Sequence, residues 1–136
     1  MKVVIVLCNK RVNQRFFQNE NNRLSNPQPG TCIDSDVVNQ NTYDFYMISQ
    51  QAKQGVVSPT HYVVVYDEIR EDPALIQSLT YKLCYTYYNV SGSIKVPSPV
   101  QYAHRLANLI GDRTTHHKTP LPHDHFSQTE RGLYFI

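Results

Sequence analysis

The sequence predicts an α/β fold, with strands first and two helices after them in a mixed sheet-and-helix unit. Two apolar runs rich in β-branched residues, Val3–Cys8 and His61–Tyr66, read as strands. Two cap-plus-proline pairs, Asp72-Pro73 and Ser98-Pro99, each open a stretch of apolar residues at helical spacing. The 136 residues give room for one domain, and 40% hydrophobic against 18% charged residues is enough apolar material for a packed core.

Val3–Cys8 has no polar alternation, so it reads as a strand buried on both faces in the middle of a sheet. Asn9–Arg23 is polar and basic, and the amide-rich stretch through Asn26, Pro27, Pro29 and Gly30 reads as an exposed loop. Thr31–Ile33 is a short strand. Tyr43–Ile48 is another, with Phe45 and Met47 on one side and Tyr46 and Ile48 on the other. Gln50–Pro59 connects it to the His61–Tyr66 strand. The helix from Asp72 carries Leu75, Leu79, Leu83 and Tyr87 as its apolar stripe and is expected to fail near Asn89–Gly92. Ile94–Val96 is a short extended piece. The helix from Ser98 places Val100, Ala103, Leu106, Ala107 and Ile110 on one face, with Gly111 as its stop. Residues 112–130 hold four histidines and two prolines and read as a mobile polar segment; residues 131–136 read as an apolar tail that docks back onto the domain.

No apolar run approaches the ~20 residues of a membrane helix or the roughly 7–15 of a secretory signal. The formal charge is only +2, so a basic function has to be local. The three cysteines, Cys8, Cys32 and Cys84, are odd in number and lack metal-ligand spacing. They read as buried reduced thiols of an intracellular protein.

Four constellations could carry chemistry. Lys10, Arg11 and Arg15 follow the opening strand, where loops at strand ends gather ligands and cations suit phosphates; the plain alternative is a solvated loop. Ser58-Pro59-Thr60-His61 precedes a strand, so His61 either meets a phosphate or caps the strand. His104 lies at the edge of the second helical stripe, and metal binding there would need converging partners. His116, His117, His123, Asp124 and His125 have metal-binding composition without the spacing of a compact site. A glycine-rich phosphate loop, a nucleophile elbow and a zinc-protease helix are all absent from the sequence.

Several segments, in one order, resemble PIWI domains. They are Lys10-Arg11-Val12-Asn13-Gln14-Arg15-Phe16-Phe17; Gly30-Thr31 with Asp34; Asp44-Phe45-Tyr46; Gln54-Gly55 followed by Ser58-Pro59-Thr60-His61-Tyr62; Leu79 to Cys84; and Val96-Pro97-Ser98-Pro99 leading to Tyr102-Ala103-His104. The Leu-Tyr-Phe-Ile ending is also similar, and Arg11-Val12-Asn13 with Tyr88-Asn89 is closer to the PIWI than to the Argonaute clade. Val90 departs from the tryptophan expected after Tyr88-Asn89. The resemblance implies the C-terminal portion of an RNase H-like fold, a partial PIWI domain over residues 1–111 with two C-terminal helices. It implies binding of a small guide RNA and its target RNA in RNA-mediated silencing, in the cytoplasm or nucleus, with no membrane.

Family positions for guide-phosphate contacts fall on Lys10, Arg11, Arg15, His61 and Tyr87, and further backbone-contact positions fall on Lys95 and Gln101. His104 matches the histidine of the catalytic tetrad, which in competent members positions divalent metal, Mg2+, with three acidic residues. Those acidic positions fall upstream of the opening strand, and Asp34, Asp36 and Asp44 match other family positions, so cleavage by this chain alone is not expected. The terminal carboxylate of Ile136 matches a metal ligand at the guide 5′ phosphate. A further expected partner is the N-terminal part of the same kind of protein. The competing expectations are a non-functional or structural fragment of a truncated gene and a metal-dependent hydrolase built on the terminal histidines.

Overall fold

Strands β5 (Asp44–Ile48) and β6 (Thr60–Asp67) form the middle of a four-stranded sheet flanked by β1 (Val4–Asn9) and β4 (Thr31–Ile33), in the order β1-β6-β5-β4. The structure, a computed structural model, describes residues 2–39, 41–70 and 72–117. Every pairing in this sheet is antiparallel, so the parallel component of a mixed sheet is not among the described pairings.

Register decides which side chains meet, because directly paired residues share a face. Cys8, Tyr62 and Phe45 align across β1, β6 and β5, and Cys32 pairs Met47 on the same face. Phe45, Met47 and Tyr62 join Ile76 as the core, with Val4, Val6, Cys8, Cys32, Tyr43, Val64 and Tyr81 packed around it. The Phe45 ring stacks on Tyr62 at 5.1 Å and lies 5.7 Å from Tyr43. The opposite face carries the row Asn9, His61, Tyr46, Ile33, one residue from each strand.

Among the described residues the Val3–Cys8 run lies at the edge of the sheet, and one of its faces is covered. Ile5 and Leu7 are about half exposed (50% and 52%). A continuous apolar run lacks the period that would tell a half-covered strand from a central one.

Helix α1 (Pro73–Leu83) starts as expected. The Asp72 carboxylate accepts the Ala74 N–H at 3.0 Å, and Pro73 occupies the first turn. Its buried side is Ile76 and Thr80, continued past the helix by Cys84 and Tyr87, while Leu75 and Leu79 stand exposed. Leu75-Leu79 and Ile76-Thr80-Cys84 both recur at four-residue spacing, and the core contact of Ile76 selects the latter. The helix ends at Leu83, earlier than expected. Cys84 and Tyr85 N–H close tighter bonds to Tyr81 and Lys82, Thr86 Oγ1 donates to the Leu83 carbonyl, and the Cys84 carbonyl accepts the distant Ile94 N–H. Ile94–Val96 forms no strand and bends at Lys95.

Two further expectations are corrected. The polar loop contains a hairpin, β2 (Gln18–Glu20) with β3 (Arg23–Ser25), turning through Asn21 and Asn22 at φ 51° and 63°. Asparagine tolerates that left-handed region, which such two-residue turns require. Helix α2 (Ser98–His117) runs through Gly111, which has no positive φ and therefore does not cap it.

The chain divides into two units, residues 1–98 with the sheet and α1, and residues 99–136 with nearly all of α2. The rest of the expected mobile segment and the tail 131–136 lie outside the described residues. No described helix is long and apolar enough to cross a membrane.

None of the cysteines is bridged. Cys84 is buried, but Cys8 and Cys32 are only partly so, since both sit on outer strands of the sheet. Burial pushes the Cys84 and Cys32 thiols from 9.0 up to about 11. The folded chain thus keeps protons that the unfolded chain releases. This contribution to stability is complete below pH 9.0 and declines as pH rises through about 11. Thermal unfolding across that range is expected to show a falling midpoint, less steep in Cys84→Ala. A midpoint indifferent to pH there contradicts the burial of these thiols.

Candidate nucleic-acid interface

The end of β1 delivers the chain into the basic turn. Arg15 Nη1 donates to the carbonyls of Val12 (2.8 Å) and Gln14 (2.7 Å), so the guanidinium folds over its own turn and stiffens it. Phe16 sets its ring edge-on to Tyr46 at 5.2 Å, which pins the turn to the polar face of the sheet. Arg11 is exposed and Lys10 half-buried.

Lys95 ties this turn to the rest of the site. Its Nζ donates to the Lys10 carbonyl and to Ser58 Oγ, both at 3.0 Å. Its own carbonyl accepts from Ser49 Oγ (2.9 Å) and Thr60 Oγ1 (3.0 Å). Three separate segments, around Lys10, Ser49 and Ser58–Thr60, therefore meet at this one residue. Burial, and then the nearby Arg15 charge, lower the affinity of the Lys95 amine for its proton. Among the described residues two of the three ammonium N–H groups are used, leaving one for a ligand.

His61 closes the other side. Its Nε2 lies 2.6 Å from Asp44 Oδ2, its Nδ1 lies 3.4 Å from Asn9 Nδ2, and its ring stacks on Tyr46 at 4.4 Å. The side chain keeps 19% exposure, against 5% for Asp44.

Lys10, Arg15, Lys95 and His61 thus gather around the end of β1, and Arg11 adjoins them in sequence. Among the described residues no carboxylate lies within ion-pairing distance of Lys10, Arg11, Arg15 or Lys95, and the Asp44 carboxylate meets His61 instead. Cations left unbalanced and held by a fixed frame suit a polyanion.

The remaining sequence candidates fall on other elements. Tyr87 is buried, 8% exposed, in the segment after α1. Gln101 and His104 lie on α2, in the second unit. Ile136, His123, Asp124 and His125 lie outside the described residues, as do the side chains of His116 and His117. Among the described residues no three His, Cys, Asp or Glu side chains converge to hold a metal ion, so the described part of the chain does not fit the Mg2+ that the tetrad histidine implies.

Asn9 and Asp44 belong to the site without having been singled out for it. Asp44 offered one signal in the sequence, a carboxylate opening an otherwise apolar strand.

The model of the Piwi domain family matches residues 1–115. The chain is 49% identical over 110 residues to Piwi-like protein 1 of Gallus gallus, covering 81% of this chain and 13% of that protein. It is 43% identical over 135 residues to Protein piwi of Drosophila melanogaster, covering 99% and 15%. It therefore spans a small part of the length of these relatives. Among solved structures it is similar to Drosophila Piwi, with a TM-score of 0.73 and 44% identity over 81% of this chain and 15% of that one. It is also similar to the C-terminal lobe of a budding yeast Argonaute (TM-score 0.72, 31% identity, 79% and 23% covered) and to Kluyveromyces polysporus Argonaute with a guide RNA (TM-score 0.71, 31% identity, 79% and 14% covered). The sheet followed by two helices is thus the RNase H-like arrangement of that C-terminal lobe.

Proposed function

The chain belongs to the Piwi domain family, and from that premise we propose that its basic corner grips the sugar-phosphate backbone of a small guide RNA engaged with its target RNA in RNA-mediated silencing. The observation that carries this reading is the set of cations, Lys10, Arg11, Arg15 and Lys95, without a carboxylate in ion-pairing distance among the described residues. The frame supports it. Lys95 holds the turn from behind through the Lys10 carbonyl, which leaves the Lys10 ammonium and the Arg11 guanidinium to reach phosphate oxygens. The similar Kluyveromyces polysporus Argonaute structure contains a guide RNA. His61 contributes through the Asn9 amide that its Nδ1 edge orients, because Nε2 is committed to Asp44. Tyr87 and Gln101 are proposed as further backbone contacts by family position alone. Phosphate contacts of this kind bind RNA without reading its bases.

The test is fluorescence anisotropy with a labelled 5′-phosphorylated single-stranded RNA across a salt series. Each phosphate contact contributes ~0.7 to the slope of log K against log salt on single strands. The triple variant Lys10→Ala, Arg11→Ala, Arg15→Ala is therefore expected to flatten that slope by about 2. A triple variant with the wild-type slope overturns the reading.

A further inference from the structure

We infer that Asp44 is a positioning residue for phosphate binding: its carboxylate holds one edge of the His61 ring so that the other edge orients the Asn9 amide, whose N–H is presented to the RNA phosphate. This rests on the proposed binding of RNA at the basic corner.

The geometry fixes the carboxylate twice. Asp44 opens β5 and is 4% exposed. Oδ2 meets His61 Nε2 at 2.6 Å, and Oδ1 accepts the backbone N–H of Asn39 at 2.9 Å. The ring is then clamped flat against Tyr46, with planes 17° apart. Asn9 turns its amide nitrogen toward Nδ1, so Nδ1 accepts and Nε2 carries the proton given to Asp44. Among the described residues the second N–H of the Asn9 amide has no acceptor, and Asn9 immediately precedes Lys10. A chain of fixed contacts thus runs from Asn39 through Asp44 and His61 to Asn9.

Charge alone argues the other way. A carboxylate beside a phosphate site repels the ligand, so its simple removal strengthens binding. Positioning predicts weakening, and the sign separates the two. Asp44→Asn is the sharp variant because two donors, Asn39 N–H and His61 Nε2–H, need two oxygens, and asparagine has one. Its amide nitrogen faces one donor or turns the ring to the wrong tautomer.

Asp44→Asn in the full chain is expected to weaken binding of the 5′-phosphorylated RNA about tenfold, the scale of one lost hydrogen bond to a charged group. His61→Ala is expected to do the same, and Asp44→Asn to cost nothing further in the His61→Ala background. Tighter binding by Asp44→Asn, unchanged binding, or an equal loss in the His61→Ala background overturns the inference. The 15N imidazole spectrum of the wild-type chain tests it without any variant or RNA: a protonated Nε2 supports it, and a bare Nε2 overturns it. Should the triple basic variant keep its salt slope, the RNA reading fails, and the spectrum still reports on the Asp44–His61 contact.

Discussion

Phe45→Ala is expected to cost about 3–5 kcal/mol of unfolding free energy, the range for a fully buried phenylalanine. Phe45 is 0% exposed at the centre of β5, stacked on Tyr62 and bordered by Tyr43. Removing its ring takes contacts from both tyrosines and opens a cavity under Ile76. Tyr62 cannot move in to fill it freely. Its own ring is 1% exposed, and its hydroxyl, without a hydrogen-bond partner among the described residues, would be carried deeper into apolar surroundings. The contrast lies on α1. Leu75→Ala and Leu79→Ala are each expected to cost less than about 1 kcal/mol, because both side chains are more than half exposed. Urea denaturation of the three variants measures the difference. A Phe45→Ala loss no larger than the leucine losses would place the core on the other face of the sheet.

That contrast also marks the limit of what sequence pattern conveys. Thr31–Ile33, Tyr43–Ile48 and His61–Tyr66 are legible as strands, within a residue or two, because β-branched and aromatic residues crowd there. The phase of α1 is not legible, since Leu75 and Ile76 both begin a four-residue spacing and only the sheet opposite decides between them. The β2–β3 hairpin is hidden for another reason. Its strands are exposed on both sides and carry no hydrophobic period, and Asn21-Asn22 is a weak turn signal among so many amides. In the site, charge makes Lys10, Arg11 and Arg15 visible at once. The pairing of Asp44 with His61 is invisible, because it depends on the register of β5 against β6. Lys95 is harder still, since its two partners lie 85 and 37 residues away along the chain.

Lys95→Met tests those hidden contacts and is expected to act on stability and binding together. Methionine keeps the length of the stem and removes the ammonium. The Lys10 carbonyl and Ser58 Oγ each lose a charged donor, at about 1.5–3 kcal/mol per bond before solvent takes over part of it. Relief from desolvating the amine and from Arg15 repulsion offsets some of this loss. The net expectation is about 2 kcal/mol, read by urea denaturation. The Ser49 and Thr60 hydroxyls remain on the residue 95 carbonyl, so the strand ends stay joined and the damage falls on the basic turn. Binding of the 5′-phosphorylated RNA is then expected to weaken further than the loss of one charge accounts for, because Lys10 and Arg11 are no longer held in place. Lys95→Arg separates the two effects. It restores the charge, but its planar fork does not reproduce a compact ammonium set between a carbonyl and a hydroxyl, so it should recover the salt slope and only part of the stability. If Lys95→Met binds as tightly as wild type, the turn is organised by something other than this lysine, and the basic corner has to be rebuilt around Arg15 and Phe16.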